Sequence, residues 1–140
     1  MKATLTSLLF SFSILLNAQA PAIEWQKSLG GSDNDDARSI QQTSDGGYII
    51  AGISGSISGD VTGNHGNDDV WVVKLDAFSN ITWQKSLGGS GGDKAYFIQQ
   101  TQDGGYIVAG SSTSNDGDVT GNHGYYDGWV VKLDVLGNIT

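Results

Sequence analysis

Residues 23–80 read IEWQKSLGGSDNDDARSIQQTSDGGYIIAGISGSISGDVTGNHGNDDVWVVKLDAFSN, and residues 81–138 read ITWQKSLGGSGGDKAYFIQQTQDGGYIVAGSSTSNDGDVTGNHGYYDGWVVKLDVLGN. The two stretches align without a gap over a period of 58 residues, with roughly 40 positions identical, and Ile139-Thr140 opens a third copy. Self-similarity of this kind marks one supersecondary unit stacked on its neighbour. The fold is therefore decided by what a single copy forms.

No part of a copy sustains a helical period, whereas four segments carry strand signals. Ala37–Thr43 is a short strand closed by the Ser44-Asp45-Gly46-Gly47 turn, and Tyr48–Ile53 is apolar enough for a central strand buried on both faces. After the long loop Ser54–Asp69 comes Val70–Asp76, with Trp71, Val73 and Leu75 on one face and Val72 and Lys74 on the other. A turn at Ala77–Asn80 leads to Ile81–Leu87, an alternating outer strand with Ile81, Trp83 and Leu87 on a common face. Four short antiparallel strands with glycine turns and a repeated aromatic signature predict an all-β fold of two tandem four-stranded blades of β-propeller type. In this phase blade one runs from Ala37 to Gly89, and blade two, Ala95 to Thr140, lacks its outer strand. Ile23–Leu29 has the outer-strand sequence with no blade before it. Two blades cannot close a ring, so the expectation is an open piece of a longer protein. Its apolar faces around Tyr48–Ile53 and Tyr106–Ala109 would be exposed, favouring self-association.

Composition narrows the function. The 140 residues carry 7 basic and 15 acidic side chains, a formal charge of −8, which excludes a nucleic-acid binder built on basic patches. Cysteine is absent, and with it any disulfide framework, thiolate nucleophile or Cys-ligated zinc. Met1–Ala20 places Lys2 before an apolar run and small residues, the pattern of a secretory signal peptide. The apolar run is shorter than the ~20 residues of a membrane span. Cleavage is expected after Ala18, with Ala20 or Ala22 as alternatives, leaving an exported, acidic protein without a membrane span.

The strings WQKSLGGS, SIQQTSDGGYIIAG, GDVTGNHG and WVVKLD resemble the tandem repeats of secreted bacterial β-propeller-like proteins. The resemblance covers essentially all of residues 23–140. In that family many copies often precede a C-terminal sorting domain for type IX secretion, which has no counterpart in these residues. The resemblance implies export, a bacterial cell-surface or extracellular setting and a propeller-type fold, with no particular activity.

Candidate sites are few. The turn Ser44–Gly47, matched by Gln102–Gly105, approaches the Asp-box of sialidase-type propellers but lacks its spacing, so it reads as a hairpin turn in which Asp-Gly supplies positive φ. Clustered oxygens in the long loops suggest one calcium site per blade, from Asp60, Asn64 and Asp69 and from Asp118, Asn122 and Asp127. No EF-hand pattern fits, and turn-forming Asp and Asn account for the same residues. His65 and His123 occur once per repeat, as structural residues do, and the tryptophans at 25, 71, 83 and 129 read as core between blades. Tyr125 and Tyr126 replace Asn67 and Asp68 on an exposed loop and are the best candidates for ligand contact, with a glycan or surface polymer as the partner. No unrepeated acid, base or nucleophile cluster exists, so no catalytic residue is assigned and no enzyme activity is expected. A non-catalytic module for binding or display is the leading reading, beside a carbohydrate-recognising propeller or a structural spacer.

Overall fold

The structure, a computed structural model, describes residues 20–140; the expected signal peptide, Met1–Ala18, lies outside them. Among the described residues there is no helix, and hence none long and apolar enough to cross a membrane. Seven strands form two antiparallel sheets. The first has the order β1 (Asp35–Gln42), β2 (Tyr48–Ser54), β3 (Asp69–Leu75), β4 (Ile81–Leu87), and the second has β5 (Asp93–Gln100), β6 (Tyr106–Ser112), β7 (Asp127–Leu133). The two sheets do not close on themselves.

The second sheet is thus three-stranded rather than four-stranded. Its missing edge is represented by a single antiparallel bridge from Leu133 to Ile139. The outer-strand sequence at residues 23–29 is likewise not paired into a sheet. It lies instead against the first sheet, with Leu29 packed on the apolar cluster there and the Trp25 ring 5.4 Å from Tyr48. Trp83, 58 residues on, makes the same contact with Tyr106 at 5.8 Å. Residues 23–29 therefore sit on the first sheet as β4 sits on the second.

β2 and β3 are buried on both faces, as their apolar composition requires. One face of the first sheet presents Ile49, Ala51, Val70 and Val72 to Tyr106, Val108, Val131 and Leu133 of the second. The opposite face gathers Ile50, Trp71, Val73 and Leu75 under Val61 of the long loop. By the 58-residue correspondence, Val108, Val131 and Leu133 are the counterparts of Ile50, Val73 and Leu75. The sheets accordingly stack head to tail, with unlike faces in contact. Tyr48–Ile53, expected to be exposed, is covered from both sides: by the second sheet and by the loop with the 23–29 segment.

Two irregularities refine the strand pattern. A register shift between Lys74 and Leu75 pairs Leu75 with Ile81 and Lys74 with Trp83, leaving Thr82 as an extra residue. The bulge turns Ile81 to the Trp71 side while Trp83 and Leu87 face the second sheet, so the common face expected for these three residues is split. A second bulge, at Arg38 in β1 and Tyr96 in β5, lies opposite glycine in β2 and β6. A Cβ on Gly52 would stand 1.9 Å from the carbonyl oxygen of Asp36, and one on Gly110 equally close to that of Lys94. Gly52→Ala should therefore lower stability by about 1–3 kcal/mol, read as a lower urea midpoint at constant slope. An unchanged midpoint would show that the bulge does not depend on this close approach.

Candidate functional site

Nearly every acidic side chain of the loops is committed to holding backbone. Asp35 accepts the Gly31 N–H at 2.7 Å and the hydroxyls of Ser54 and Ser56; Asp93 accepts the Gly89 N–H at 2.8 Å and the hydroxyls of Ser112 and Ser114. Burial pushes the Asp35 carboxyl upward, but the bonds from Ser54, Gly31 and Ser56 outweigh it and hold the group below its ordinary range. Asp60 and Asp118 accept the N–H of Gly30 and Gly88 at 3.2 and 3.1 Å, while their own N–H groups return bonds to the same glycine carbonyls. These are reciprocal clasps between the end of one unit and the loop of the next.

The loop histidines form a further repeated pair. Asp69 Oδ2 accepts the His65 N–H at 2.9 Å and stands 2.7 Å from its Nδ1; the Asp127–His123 pair repeats this at 2.7 and 2.9 Å. The two aspartates differ in environment. Asp69 is fully buried between the sheets, and its Oδ1 makes no hydrogen bond. Desolvation pushes its carboxyl up despite the bonds from His65, and the Asp93 charge adds to the rise. Asp127, with no further sheet over it, is lowered by the His123 backbone and side-chain bonds. Such His–Asp pairs are repeated in both units, and in each the aspartate holds the backbone and the ring of a histidine four residues before it.

The six residues expected to bind calcium are placed in loops of the same kind in both units, and one oxygen of each already accepts a backbone N–H, while Asp69 Oδ1 has no partner. Asn64 Oδ1 accepts the Gly66 N–H and its amide donates to the Ser54 carbonyl, both at 3.0 Å; Asn122 does the same with Gly124 and Ser112. Among the described residues no three His, Cys, Asp or Glu side chains converge as metal ligands. Calcium takes six to eight oxygens, whereas each of these side chains here turns one oxygen onto a backbone N–H of its own loop or linker.

Tyr125 and Tyr126 do stand on the surface. Tyr125 is 94% exposed, with a left-handed φ of 53° that is unusual for a bulky side chain. Tyr126 is 57% exposed, and Lys94 Nζ lies 5.6 Å from its ring centroid. Lys94 also lies 3.9 Å from Asp68. Sequence reasoning did not bring Lys94, which stands where the first copy has Asp36, together with Tyr126. The one signal for it was that both substitutions break the repeat in the same copy.

No family model matches the chain, and no curated protein matches it.

Two outcomes are expected. Thermal melts in millimolar calcium and in EDTA should coincide, because each of these loop side chains is already committed to a backbone N–H; a rise of about 2.7 kcal/mol at a hundredfold excess over Kd would be the signature of a native-state site. For Asp69, a folded-state pKa above the unfolded one means the native state gains stability from protonation below about pH 4. That gain disappears as pH rises through the folded value. Asp69→Asn should accordingly gain stability relative to wild type as pH rises from below the ordinary carboxylate range to well above it, measured by urea unfolding. A difference that runs the other way would show that Asp69 is not the desolvated group described.

Proposed function

We propose that this chain is a non-catalytic, secreted repeat module of β-propeller type, used for binding or display at a bacterial surface. The observation that carries the reading is the repetition of its polar chemistry. The carboxylates at 35, 60 and 69 and their counterparts at 93, 118 and 127 perform the same backbone-holding task in both sheets. Catalysis needs groups of differing pKa aimed at a common reacting atom, and symmetric loop clasps do not supply them. The head-to-tail packing of unlike sheet faces supports the propeller assignment, since it is the way blades stack around a ring. The leader at residues 1–18 and the resemblance of the repeats support export.

A second reading, recognition of a glycan or surface polymer, rests on Tyr125, Tyr126 and Lys94. Here exposed aromatic rings, a neighbouring cation and a strained backbone coincide where the repeat symmetry breaks. The test uses immobilised bacterial polysaccharides and a set of chromogenic glycosides, esters and peptides. Retention on a polysaccharide, lost on Tyr125→Ala and Tyr126→Ala, together with no turnover of any substrate, is expected. Turnover abolished by Asp36→Ala or Asp93→Ala would overturn the non-catalytic reading.

A further inference from the structure

Three observations converge on the two ends of the stack. The first is a set of side chains that are buried at the contact between the sheets but not at the free faces. Val72 is 0% exposed and its counterpart Val130 65%; Ile49 is 0% and Ile107 37%; Ile98 is 6% and Ile40 57%. The free face of the second sheet thus has the residue types that the first sheet uses to bind the second. On the first sheet the counterparts of the residues that the second sheet presents in return, Ile50, Val73 and Leu75, are covered by Val61 and residues 23–29, and Ile40 stands exposed in a cleft of about 420 Å³ shared with Trp25, Leu29, Ile50, Trp71 and Leu75.

The second observation is the edge of β7. In the first sheet β4 pairs with β3, with Lys85 opposite Val72 and Gln84 opposite Val73. Gln84 accepts the Trp71 indole N–H at 2.8 Å, and the Ser86 hydroxyl donates to the Thr62 carbonyl at 3.1 Å. In the second sheet the same place beside Trp129 and Thr120 is a cavity of about 220 Å³. The side chains that fit it stand in residues 23–29, whose Gln26 and Ser28 correspond to Gln84 and Ser86.

The third is that residues 23–29 already hold the posture of a donated strand. They are fixed to their own sheet by Trp25 on Tyr48 and by the Gly30–Asp60 clasp, as β4 is fixed to the second sheet by Trp83 on Tyr106 and the Gly88–Asp118 clasp. Even the polar contact of the inner strands can recur: Gln41 accepts the Gln100 N–H at 2.7 Å, and Gln99 stands ready to accept the Gln42 N–H of another molecule.

We propose that the occupant of both ends is a second copy of this chain, added head to tail. Residues 25–29 of one molecule become the fourth strand on β7 of another, and the first sheet of the donor stacks on the exposed face of Ile107, Ala109 and Val130. The contact is the intramolecular one repeated, so it needs no rearrangement and no element is swapped out of its own fold. Because the joined surfaces are unlike, the assembly is heterologous: it closes as a ring or grows. A ring of four to eight blades takes two to four copies. The proposal rests on the stacking of the sheets and is independent of any ligand at Tyr125 and Tyr126, so failure of polysaccharide binding leaves it standing.

The chain has no cysteine, which makes the register directly testable. Lys27 and Val130 are the counterparts of the opposed pair Lys85 and Val72, whose Cβ atoms are about 5 Å apart in such a ladder. Single variants Lys27→Cys and Val130→Cys are purified, mixed and treated with a short bis-maleimide. A cross-linked dimer is expected in the mixture, with only background in either variant alone. Equal cross-linking of Val130→Cys with itself would indicate a symmetric, face-to-face contact and overturn the proposal, as would no cross-link in the mixture. Sedimentation velocity should show species of two or more copies for the wild type and a monomer with unchanged far-UV circular dichroism for Val130→Lys. A monomeric wild type at all concentrations, or a Val130→Lys protein that remains assembled, would equally overturn it.

Discussion

Everything in this molecule depends on the contact between one face of the first sheet and the opposite face of the second. Ile49, Ala51, Val70 and Val72 find their cover in Tyr106, Val108, Val131 and Leu133. Neither sheet can bury its central strand alone, since β2 and β6 carry apolar residues on both sides and a lone sheet would leave one side wet. The interface is built from side chains whose partners are about one repeat away in sequence. A repeat therefore contains both halves of the interface, one on each of its faces.

The polar groups serve that stacking. Linkers between units must turn sharply and still satisfy their backbone, and the glycine–aspartate clasps do this with an acceptor at the point where each N–H is left without a strand partner. Lys74 shows the same division of labour at the other end of the sheet. Its ammonium, nearly buried, is held by Asp45 at 2.8 Å and by the Leu75 carbonyl at 2.9 Å. That hydrogen bond keeps the exposed Asp45 carboxyl well below its usual range. The acidity of the chain is in this sense architectural, spent on turns and linkers.

Much of this was legible in the sequence because the signal was repeated and local. The apolar runs around Ile50 and Val73, the Asp-Gly turns and the alternation in β4 each define a strand or turn without reference to the rest of the chain. What escaped depends on the third dimension. Ile23–Leu29 carries a strand's alternation but pairs with no strand edge among the described residues, and pairing, not pattern, makes a strand. The bulge at Thr82 reverses Ile81 through one extra residue that periodicity does not reveal. The burial of Asp69 comes from the stacking of the second sheet, and the meeting of Lys94 with Tyr126 from segments brought together within the second unit; the His-Gly-x-x-Asp spacing shared by 65–69 and 123–127 cannot show that one of the two aspartates is covered.

The head-to-tail contact also determines how such a protein tolerates changes in length. In a symmetric interface, each face is its own mate, and adding a unit leaves a face with no partner of its kind. Here a duplicated or deleted 58-residue segment gains or loses one complete contact, and the two terminal surfaces remain what they were. Gene lineages carrying this unit can thus expand and contract in register, without compensating substitutions elsewhere, because every inserted copy arrives with both surfaces that its neighbours require.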